Sequence, residues 1–286
     1  MSIVVKNLTH IYNEGMPFSS KALDNISFEI KDRDFVGLIG HTGSGKSTLI
    51  QHFNGLEKCT EGTVYFDGKD ISEKDFDLKQ LRRRVGLVFQ YPEYQLFEES
   101  VFKDISFGPK NMGLDNEEIG RRVFEASSFV GLRSELLDKS PFELSGGEKR
   151  RTAIAGILAM EPEILILDEP TAGLDPGSGR NLIENLIKLR DKNGTTIIIV
   201  SHSMENTAKI SDKIMVMNAG KCKMFGTPKE IFSQEERLSE LSLGIPQITR
   251  IMKSLKQRDC AVRDDILTVN EAFVELISLL SRRENL

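Results

Sequence analysis

Apolar and polar residues alternate along the first part of the chain, with a period of two that is typical of strands burying one face. The alternating segments are IVVKNLT (3–9), ALDNISFEI (22–30) and TVYFDGKDI (63–71). Between the second and third, FVGLI (35–39) is an unbroken apolar run, as expected of a strand buried on both faces. The run leads into Gly40 and a helical segment that we expect to end near Gly55. The pattern predicts a β-rich first subdomain, a buried strand and a helix.

A different pattern follows the apolar strand VGLVFQ (85–90). No strand-like run occurs from there to Pro141, and Asp115 with Glu118 has the form of a capping box ahead of a helix. We therefore predict a helical subdomain at about residues 91–160. Because helical segments lie between the strands that follow, we predict a mostly parallel sheet and an α/β fold. These later strands are EILILDEP (163–170), TTIIIVSH (195–202) and KIMVMNAGK (213–221).

Beyond Pro228 the apolar residues change to helical spacing. Thr268 and Glu271 form a second capping box within this part of the chain. We predict a larger domain at 1–230 and a small helical extension at 231–286. Its apolar stripes suit packing either on their own domain or on a second chain, and the sequence leaves both open. The two stripes, spaced i, i+3, i+4 and i+7, are Ile248, Ile251, Met252 and Leu255, and Phe273, Leu276, Ile277 and Leu280.

Composition narrows the classes of function. The chain has 286 residues and a formal net charge of −5, whereas a general nucleic-acid binder usually has a basic excess, so no nucleic-acid partner is expected. No apolar run is long enough for a membrane helix. Cys59, Cys222 and Cys260 are widely spaced, which favours a reducing cytoplasm over a disulfide framework. Any membrane association should therefore be peripheral.

The segment GHTGSGKS (40–47) fits the pattern G-x-x-x-x-G-K-[ST] between a buried strand and a helix. Its glycines allow backbone N–H groups to surround phosphate oxygens, and its lysine adds a cation. Its serine hydroxyl suits Mg²⁺, and the helix start contributes a positive dipole end. A glycine-rich turn that binds nothing is the alternative. The predicted nucleotide-binding residues are Gly40, His41, Thr42, Gly43, Ser44, Gly45, Lys46, Ser47 and Thr48, and Ser47 is also a predicted Mg²⁺ ligand.

Several strands end in polar residues, at the positions where α/β sheets bind ligands. Asp168 and Glu169 follow a buried strand, where unpaired carboxylates would be costly as core residues. We predict that Asp168 holds Mg²⁺ through water and that Glu169 is the general base, against the alternative of a structural salt bridge. His202 is a candidate γ-phosphate sensor, against the alternative of a solvated histidine. Gln90 is a weaker candidate for contact with Mg²⁺ and the attacking water.

A second anion-binding turn lies at LSGGEKRR (144–151). Ser145 and Glu148 satisfy a capping box, and Gly146 and Gly147 leave the first N–H groups of a helix bare. A capped helix without a ligand is the alternative. If the two sites lie on opposite edges of the domain, a phosphate bound at this turn must belong to a different molecule from the nucleotide bound at residues 40–47.

The order of these motifs resembles the ATP-binding cassette of ABC transporters, over about residues 1–230. By this resemblance the turn that begins at LSGGE (144–148) is the signature turn of the family. The resemblance includes the motif AGLD ending at Asp175, and the combination is more specific than any single motif. It implies the cofactors ATP and Mg²⁺, stacking of Tyr12 on adenine, and a second cassette docked head to tail. In that arrangement the turn at 145–148 and Asp175 lie against the ATP of the partner's phosphate loop. Glutamine is usual at position 148, so the glutamate leaves this site intact only if it caps its own helix.

Two segments are similar to those of the energy-coupling factor transporters, which take up vitamins and metal ions. They are the motif QYPEYQLF (90–97) and the run AGILAMEP, which follows the signature turn. The phosphate loop and the long first loop look more like the second of their two ATPase subunits, although Tyr94 stands where aspartate is common. The resemblance implies an ATP-hydrolysing subunit at the cytoplasmic face of the cell membrane. Its partners would be a second ABC ATPase subunit, an integral membrane coupling subunit and a substrate-binding membrane subunit. The extension at 231–286 would hold the two cassettes together.

Two other classes compete with this interpretation. Soluble ABC ATPases of DNA repair or translation usually carry coiled-coil inserts or two cassettes in one chain, and this sequence has neither. In a P-loop kinase or GTPase the signature turn would have no function, and the N-K-x-D motif that binds guanine is absent from the sequence. The sequence does not identify a cargo, because substrate contacts would belong to other subunits.

Overall fold

The computed structural model describes residues 2–284, which form ten strands and eleven α-helices. Met1, Asn285 and Leu286, at the ends of the two predicted domains, lie outside the described residues. The strands are β1 Ile3–Tyr12, β2 Ser20–Ile30, β3 Phe35–Ile39, β4 Glu61–Phe66, β5 Lys69–Asp70, β6 Val85–Val88, β7 Ile164–Asp168, β8 Thr196–Val200, β9 Lys213–Asn218 and β10 Lys221–Gly226. The helices are α1 Lys46–Phe53, α2 Leu78–Arg84, α3 Val101–Asn111, α4 Asn116–Phe129, α5 Gly146–Leu158, α6 Pro176–Asn193, α7 Met204–Ile210, α8 Pro228–Phe232, α9 Glu235–Glu240, α10 Gln247–Gln257 and α11 Val269–Glu284.

Packing divides the chain into two compact units. The first comprises the described residues up to Asp34 together with Ser47–Val200, and the second comprises Phe35–Lys46 and the chain from Ser201 onward. This division differs from the predicted boundary near residue 230. Ile231 and Phe232, just beyond that boundary, pack in one buried cluster with β3 and β9 of the same unit. The division into 1–230 and 231–286 stays a prediction, as does the helical subdomain at 91–160.

The first unit contains an antiparallel sheet, in the order β2-β1-β4-β5, and a parallel ribbon of β6, β7 and β8. All residues of β6, β7 and β8 are buried, so the continuous apolar runs at these strands correctly indicated strands covered on both faces. Val88 pairs with Leu167, and Asp168 pairs with Val200. The residues that follow β6 and β7 therefore leave the ribbon at the same edge.

Helices α3, α4 and α5 occupy the chain between β6 and β7, and no strand occurs among residues 89–163, all of which the structure describes. The side chain of Asp115 accepts a hydrogen bond from Glu118 N, 2.9 Å away, and caps α4 as predicted. The carboxylate of Glu118 instead pairs with Arg121 and Arg122. Only half of the predicted capping box is therefore formed, because two guanidinium groups compete for this carboxylate.

In the second unit β3 pairs in parallel with β9, and β9 forms an antiparallel hairpin with β10. Residues 213–221, predicted as one strand, contain a turn at Ala219, whose φ is 46°. The predicted capping box of α11 is confirmed. Glu271 N donates to Thr268 Oγ1 and Thr268 N donates to Glu271 Oε2, both over 3.2 Å. Among the described residues, no helix is both long and apolar enough to span a membrane.

The two apolar stripes of the tail have different environments. On α10, Met252 is fully buried in a small core that it shares with Val262 and Ile266. On α11, Leu276 packs against that core, whereas the side chains of Phe273 and its neighbours along the stripe are largely exposed. The extension thus has a core of its own, while Ile251 on α10 and one face of α11 are exposed among the described residues.

His52 lies on α1 and is completely buried. Its Nδ1 atom donates to Thr48 O over 2.8 Å, and its buried Nε2 atom has no hydrogen-bond partner within residues 2–284. Burial lowers the pKa of this imidazole below its ordinary value of 6.5, and the opposing hydrogen bond to Thr48 does not offset the effect. The side chain is therefore neutral in the folded protein at pH values where an exposed histidine would be charged.

This arrangement predicts a loss of stability in mild acid. Below pH 6.5 the unfolded chain binds a proton at residue 52 that the folded chain does not, so the free energy of unfolding falls until the pH reaches the lowered pKa. For one proton the slope is at most about 1.4 kcal/mol per pH unit. Denaturant unfolding between pH 7 and 5.5 should show a weaker pH dependence for His52→Gln than for the native chain. His41→Gln, at an exposed histidine, is the control, and equal slopes for all three proteins would contradict the prediction.

Candidate nucleotide-binding site

The phosphate loop between β3 and α1 requires glycine for a steric reason. Gly40, Gly43 and Gly45 all have positive φ, of 155°, 78° and 99°. A Cβ atom on Gly40 would lie 2.3 Å from the carbonyl oxygen of Met217 and 2.7 Å from Ser44 Oγ. Any side chain at this position would push the loop away from β9. The glycines therefore let the backbone wrap closely enough to surround a phosphate.

Lys46 is the first residue of α1 and is almost completely buried. Its Nζ atom donates to Gly40 O at 2.8 Å and to His41 O at 2.9 Å, so the ammonium group lies inside the predicted loop. His41 is itself oriented by Asn218, whose Oδ1 atom lies 2.5 Å from its Nε2 atom. A phosphate group entering the loop would meet a preplaced cation, and this geometry supports the predicted role of Lys46.

Ser47 and Asp168 are brought together as predicted. Ser47 Oγ donates to Asp168 Oδ2 over 2.9 Å, and Asp168 is buried at the end of β7. A hydroxyl and a carboxylate are hard oxygen ligands of the kind that Mg²⁺ prefers while it retains several waters, so these residues fit the ion. Gln90 follows the neighbouring strand β6 at the same edge and is half-buried. Its contact with Mg²⁺ and water stays a prediction.

Glu169 adopts a backbone conformation that is rare for a residue with a side chain, with a φ of 51°. Its N–H donates to Val200 O over 3.0 Å. Its carbonyl oxygen accepts from Ala172 N and from a guanidinium nitrogen of Arg150, the latter over 2.5 Å. Arg150 was not among the predicted site residues, although it belongs to the basic run that follows the signature turn. The role of Glu169 as general base stays a prediction.

Tyr12 lies at the end of β1 with 37% of its surface exposed. Its hydroxyl is 3.2 Å from Thr48 Oγ1, and its ring meets the ring of His10 edge to face at 4.4 Å between centroids. These two contacts hold an aromatic face next to the first turn of α1. The position suits stacking on a base, which stays a prediction for this residue.

The signature turn forms the complete capping box that its sequence indicated. Ser145 Oγ accepts from Glu148 N, and the carboxylate of Glu148 accepts from Ser145 N at 3.0 Å and from Ser145 Oγ at 2.7 Å. The hydrogen bonds from Ser145 lower the pKa of Glu148. The negative charge is therefore engaged by its own helix, which is the condition under which the glutamate leaves the anion site intact. A Cβ on Gly146 would meet no atom within 4 Å among the described residues, so this chain alone does not require glycine there.

Two further predicted residues lie at helix starts. Asp175 caps α6 by accepting from Gly177 N at 3.0 Å and Ser178 N at 2.9 Å, and hydrogen bonding from Ser178 lowers its pKa. His202 is exposed and belongs to the second unit. Strand β8 ends at Val200, so His202 lies in the loop before α7 rather than on the strand as the sequence suggested. The nucleotide contacts of both residues stay predictions.

The phosphate loop, the paired carboxylates and the capped signature helix together define an ATP-binding cassette. The sequence profile described as "ABC transporter" matches residues 23–172. The chain belongs to the ABC transporter family and, within it, to the ATP-binding proteins of energy-coupling factor transporters. The energy-coupling factor transporter ATP-binding protein EcfA2 of Clostridioides difficile (strain 630) is 58% identical over 286 residues, which cover 99% of each chain.

Two solved structures are similar to the whole cassette. The first is cbiO1 from Clostridium perfringens, described as part of the ABC transporter complex cbiONQ; it has a TM-score of 0.73 and 40% identity, over 88% of this chain and 98% of that one. The second is the ATP-binding cassette MJ0796, described as a dimer in a post-hydrolysis state bound to ADP and Pi. It has a TM-score of 0.73 and 30% identity, over 79% of this chain and 98% of that one. These comparisons confirm the predicted fold and family.

Proposed function

We propose that this chain is the ATP-hydrolysing subunit of an energy-coupling factor importer of vitamins or metal ions, bound peripherally to the cytoplasmic face of the cell membrane. The observation that carries the proposal is the signature turn, which presents a capped but sterically open helix start in a chain that already has a complete phosphate loop. Kinship with EcfA2 of C. difficile favours this role over DNA repair or translation.

Each predicted site residue has a separate role in ATP binding or hydrolysis. The loop N–H groups and Lys46 bind the phosphates, and Ser47 with Asp168 holds Mg²⁺, which when bound supplies charge neutralisation on the phosphate oxygens. Glu169 accepts the proton of the attacking water as general base, and a base of this kind contributes about 10²–10⁴-fold to the rate. Gln90 and His202 orient the water and sense the γ-phosphate.

A second ABC cassette completes the site. The bare N–H groups at Gly146 form an anion site that would close over ATP bound to the phosphate loop of a partner cassette. The MJ0796 cassette is described as a dimer bound to ADP and Pi, which supports this arrangement. Because Glu148 is engaged with Ser145, its charge does not oppose the phosphate. ATP thus joins the two cassettes, and hydrolysis releases them.

Gly146→Ala tests this arrangement. The substitution should leave folding and ATP binding unchanged, because a Cβ meets nothing in this chain, but it should obstruct the docked nucleotide. We expect ATP-dependent association to weaken by about 5- to 150-fold, which corresponds to an overpacking cost of about 1–3 kcal/mol. Sedimentation velocity with Mg·ATP in a Glu169→Gln background measures it, both alone and with a companion ATPase subunit. Gly120→Ala on α4, where a Cβ is also uncontacted, is the control. Undiminished association of the Gly146→Ala protein would refute the role of the turn.

A groove of about 450 Å³ in the helical region provides a surface for the membrane partner. Phe97 and Phe107 form an aromatic wall with their ring centroids 5.0 Å apart, and Ile157 lines the same groove. Arg82 and Arg83 add positive charge to the lining. We infer that the groove binds a short amphipathic helix of the integral coupling subunit, whose apolar face would cover the exposed aromatic side chains.

Capture from membranes tests the partner and the proposed function together. Tagged protein expressed in its own organism and solubilised with detergent should retain integral membrane subunits. Phe97→Glu should lose them while retaining ATP binding, since the substitution removes an aromatic side chain from the groove wall and puts a charge where an apolar helix face would pack. Phe124→Glu, at an exposed phenylalanine of α4 that does not line the groove, is the matched control. Capture of ribosomes or DNA-repair proteins instead of membrane subunits would contradict the proposed transporter function.

The exposed face of α11 suits a second cassette subunit. Phe273 is 65% exposed, Leu280 56% and Ile277 47%, and all three lie on the stripe predicted from the sequence. The core beneath α11 is already filled by residues of the same extension, such as Met252 and Ala272, so the stripe is free to pack elsewhere. Full burial of each of these apolar side chains contributes about 1.5–3 kcal/mol. We propose that the extension holds the two cassettes together in the absence of nucleotide.

Phe273→Glu should therefore weaken dimerisation without ATP, by at least tenfold if one buried side chain is lost, and should leave nucleotide affinity unchanged. Ser278→Glu introduces the same charge at an exposed polar position of the same helix and should have little effect. Sedimentation equilibrium, alone and with the companion ATPase subunit, gives the association constants. Identical constants for both variants and the native chain would rule out this interface, as would an unchanged dimer after deletion from Pro246.

A further inference from the structure

Arg150 lies on the signature helix α5 with only 4% of its side chain exposed. Its Nε atom donates to Pro170 O over 3.2 Å, and one terminal nitrogen donates to Glu169 O over 2.5 Å. The other terminal nitrogen lies 3.6 Å from Glu93 Oε2. One guanidinium group therefore bridges the loop after β7 and the short 3₁₀ helix Pro92–Gln95.

This burial has an energetic consequence. Removing a charged group from water is costly unless hydrogen bonds and an opposite charge replace the water. Arg150 obtains both, from two consecutive carbonyl groups and from Glu93. The planar guanidinium of Arg150 uses separate nitrogens for the two carbonyls and for Glu93, and a lysine ammonium would have to reach all three acceptors from one nitrogen. The geometry therefore favours arginine.

The carbonyl that Arg150 binds belongs to the residue with the unusual backbone. A non-glycine residue with φ near +51° is retained only where its surroundings determine its conformation. Three backbone contacts do so at Glu169, namely its N–H to Val200 O, its carbonyl to Ala172 N, and its carbonyl to Arg150. Two of these come from the main chain, and Arg150 supplies the side-chain contact.

The opposite partner of Arg150 connects the loop to the groove. Glu93 lies between Gln90 and the groove-lining residues Gln95–Phe97. The Oε2 atom of Glu93 is buried and has no hydrogen-bond partner within the described residues. The positive charge of Arg150, 3.6 Å away, balances its negative charge. A displacement of the 3₁₀ helix would therefore change the distance between Glu93 and the guanidinium group of Arg150.

We propose that Arg150 is a positioning residue that holds the backbone of Glu169 for ATP hydrolysis and, through Glu93, ties its position to the segment that lines the groove. This inference rests on the proposed ATPase function and deepens it. Arg150 acts on Glu169 through its main chain.

The experiment compares Arg150→Met, Arg150→Lys and Glu93→Gln with the native chain. Arg122→Met is the matched control, since Arg122 is also largely buried on a neighbouring helix and donates to two backbone carbonyls, those of Ala159 and Met160, which follow the C-terminal end of α5. Steady-state hydrolysis gives kcat and KM for Mg·ATP, and hydrogen exchange of the amides of Glu169 and Ala172 reports on the backbone itself. Thermal unfolding corrects for loss of stability.

Both Arg150 variants should lower kcat about 10- to 100-fold with KM changed by less than about threefold, because displacement of a catalytic group by about 1 Å costs roughly that much. Their amides at residues 169 and 172 should exchange at least tenfold faster, and Arg122→Met should show neither effect. Glu93→Gln should lower kcat severalfold, and an unchanged value would overturn the link to the groove.

Native kcat and native amide exchange in a folded Arg150→Met protein would overturn the role of Arg150, as would equal losses in Arg122→Met. Absence of ATP hydrolysis by the native chain, alone and with its companion subunit, would count against the proposed function, and the exchange measurement would still decide the role of Arg150.

Discussion

The hydrogen bond between Ser47 Oγ and Asp168 Oδ2 joins the helix that follows the phosphate loop to the strand that ends at Asp168. It forms because β7 ends at a buried position where α1 begins, and it leaves a hydroxyl and a carboxylate side by side at one sheet edge. The rest of the site depends on this edge. Glu169 follows Asp168 directly, and its backbone is held against Val200 by the parallel pairing of β7 and β8.

Several charged groups of the protein lie where burial would be expensive without compensation, and each has a specific partner. Lys46 is surrounded by loop carbonyls, and Arg150 binds the two carbonyls that follow β7. Glu148 is engaged by its own helix start. Each of these charges therefore has a partner within the chain before any ligand binds.

Exposed apolar side chains lie at two surfaces for which we propose partners. These are the aromatic groove beside Phe97 and the stripe of α11 around Phe273. They lie in different units, and each suits a different partner, a membrane subunit and a second cassette. Arg150 then gives a physical route by which the first of these partners influences hydrolysis, because Glu93 belongs to the chain segment that leads into the groove wall.

Sequence alone was sufficient to predict the buried strands, the phosphate loop and the caps at Ser145 and Thr268, because local periodicity and hydrogen bonding between residues three apart are encoded over a few positions. It also placed His202 and Glu118 only approximately: the strand ends before His202, and two arginines compete for Glu118. Tertiary structure alone decided that Arg150 reaches the carbonyls of Glu169 and Pro170. That contact joins residues that are distant in sequence, and only the packing of α5 beside the end of β7 brings them within hydrogen-bonding distance.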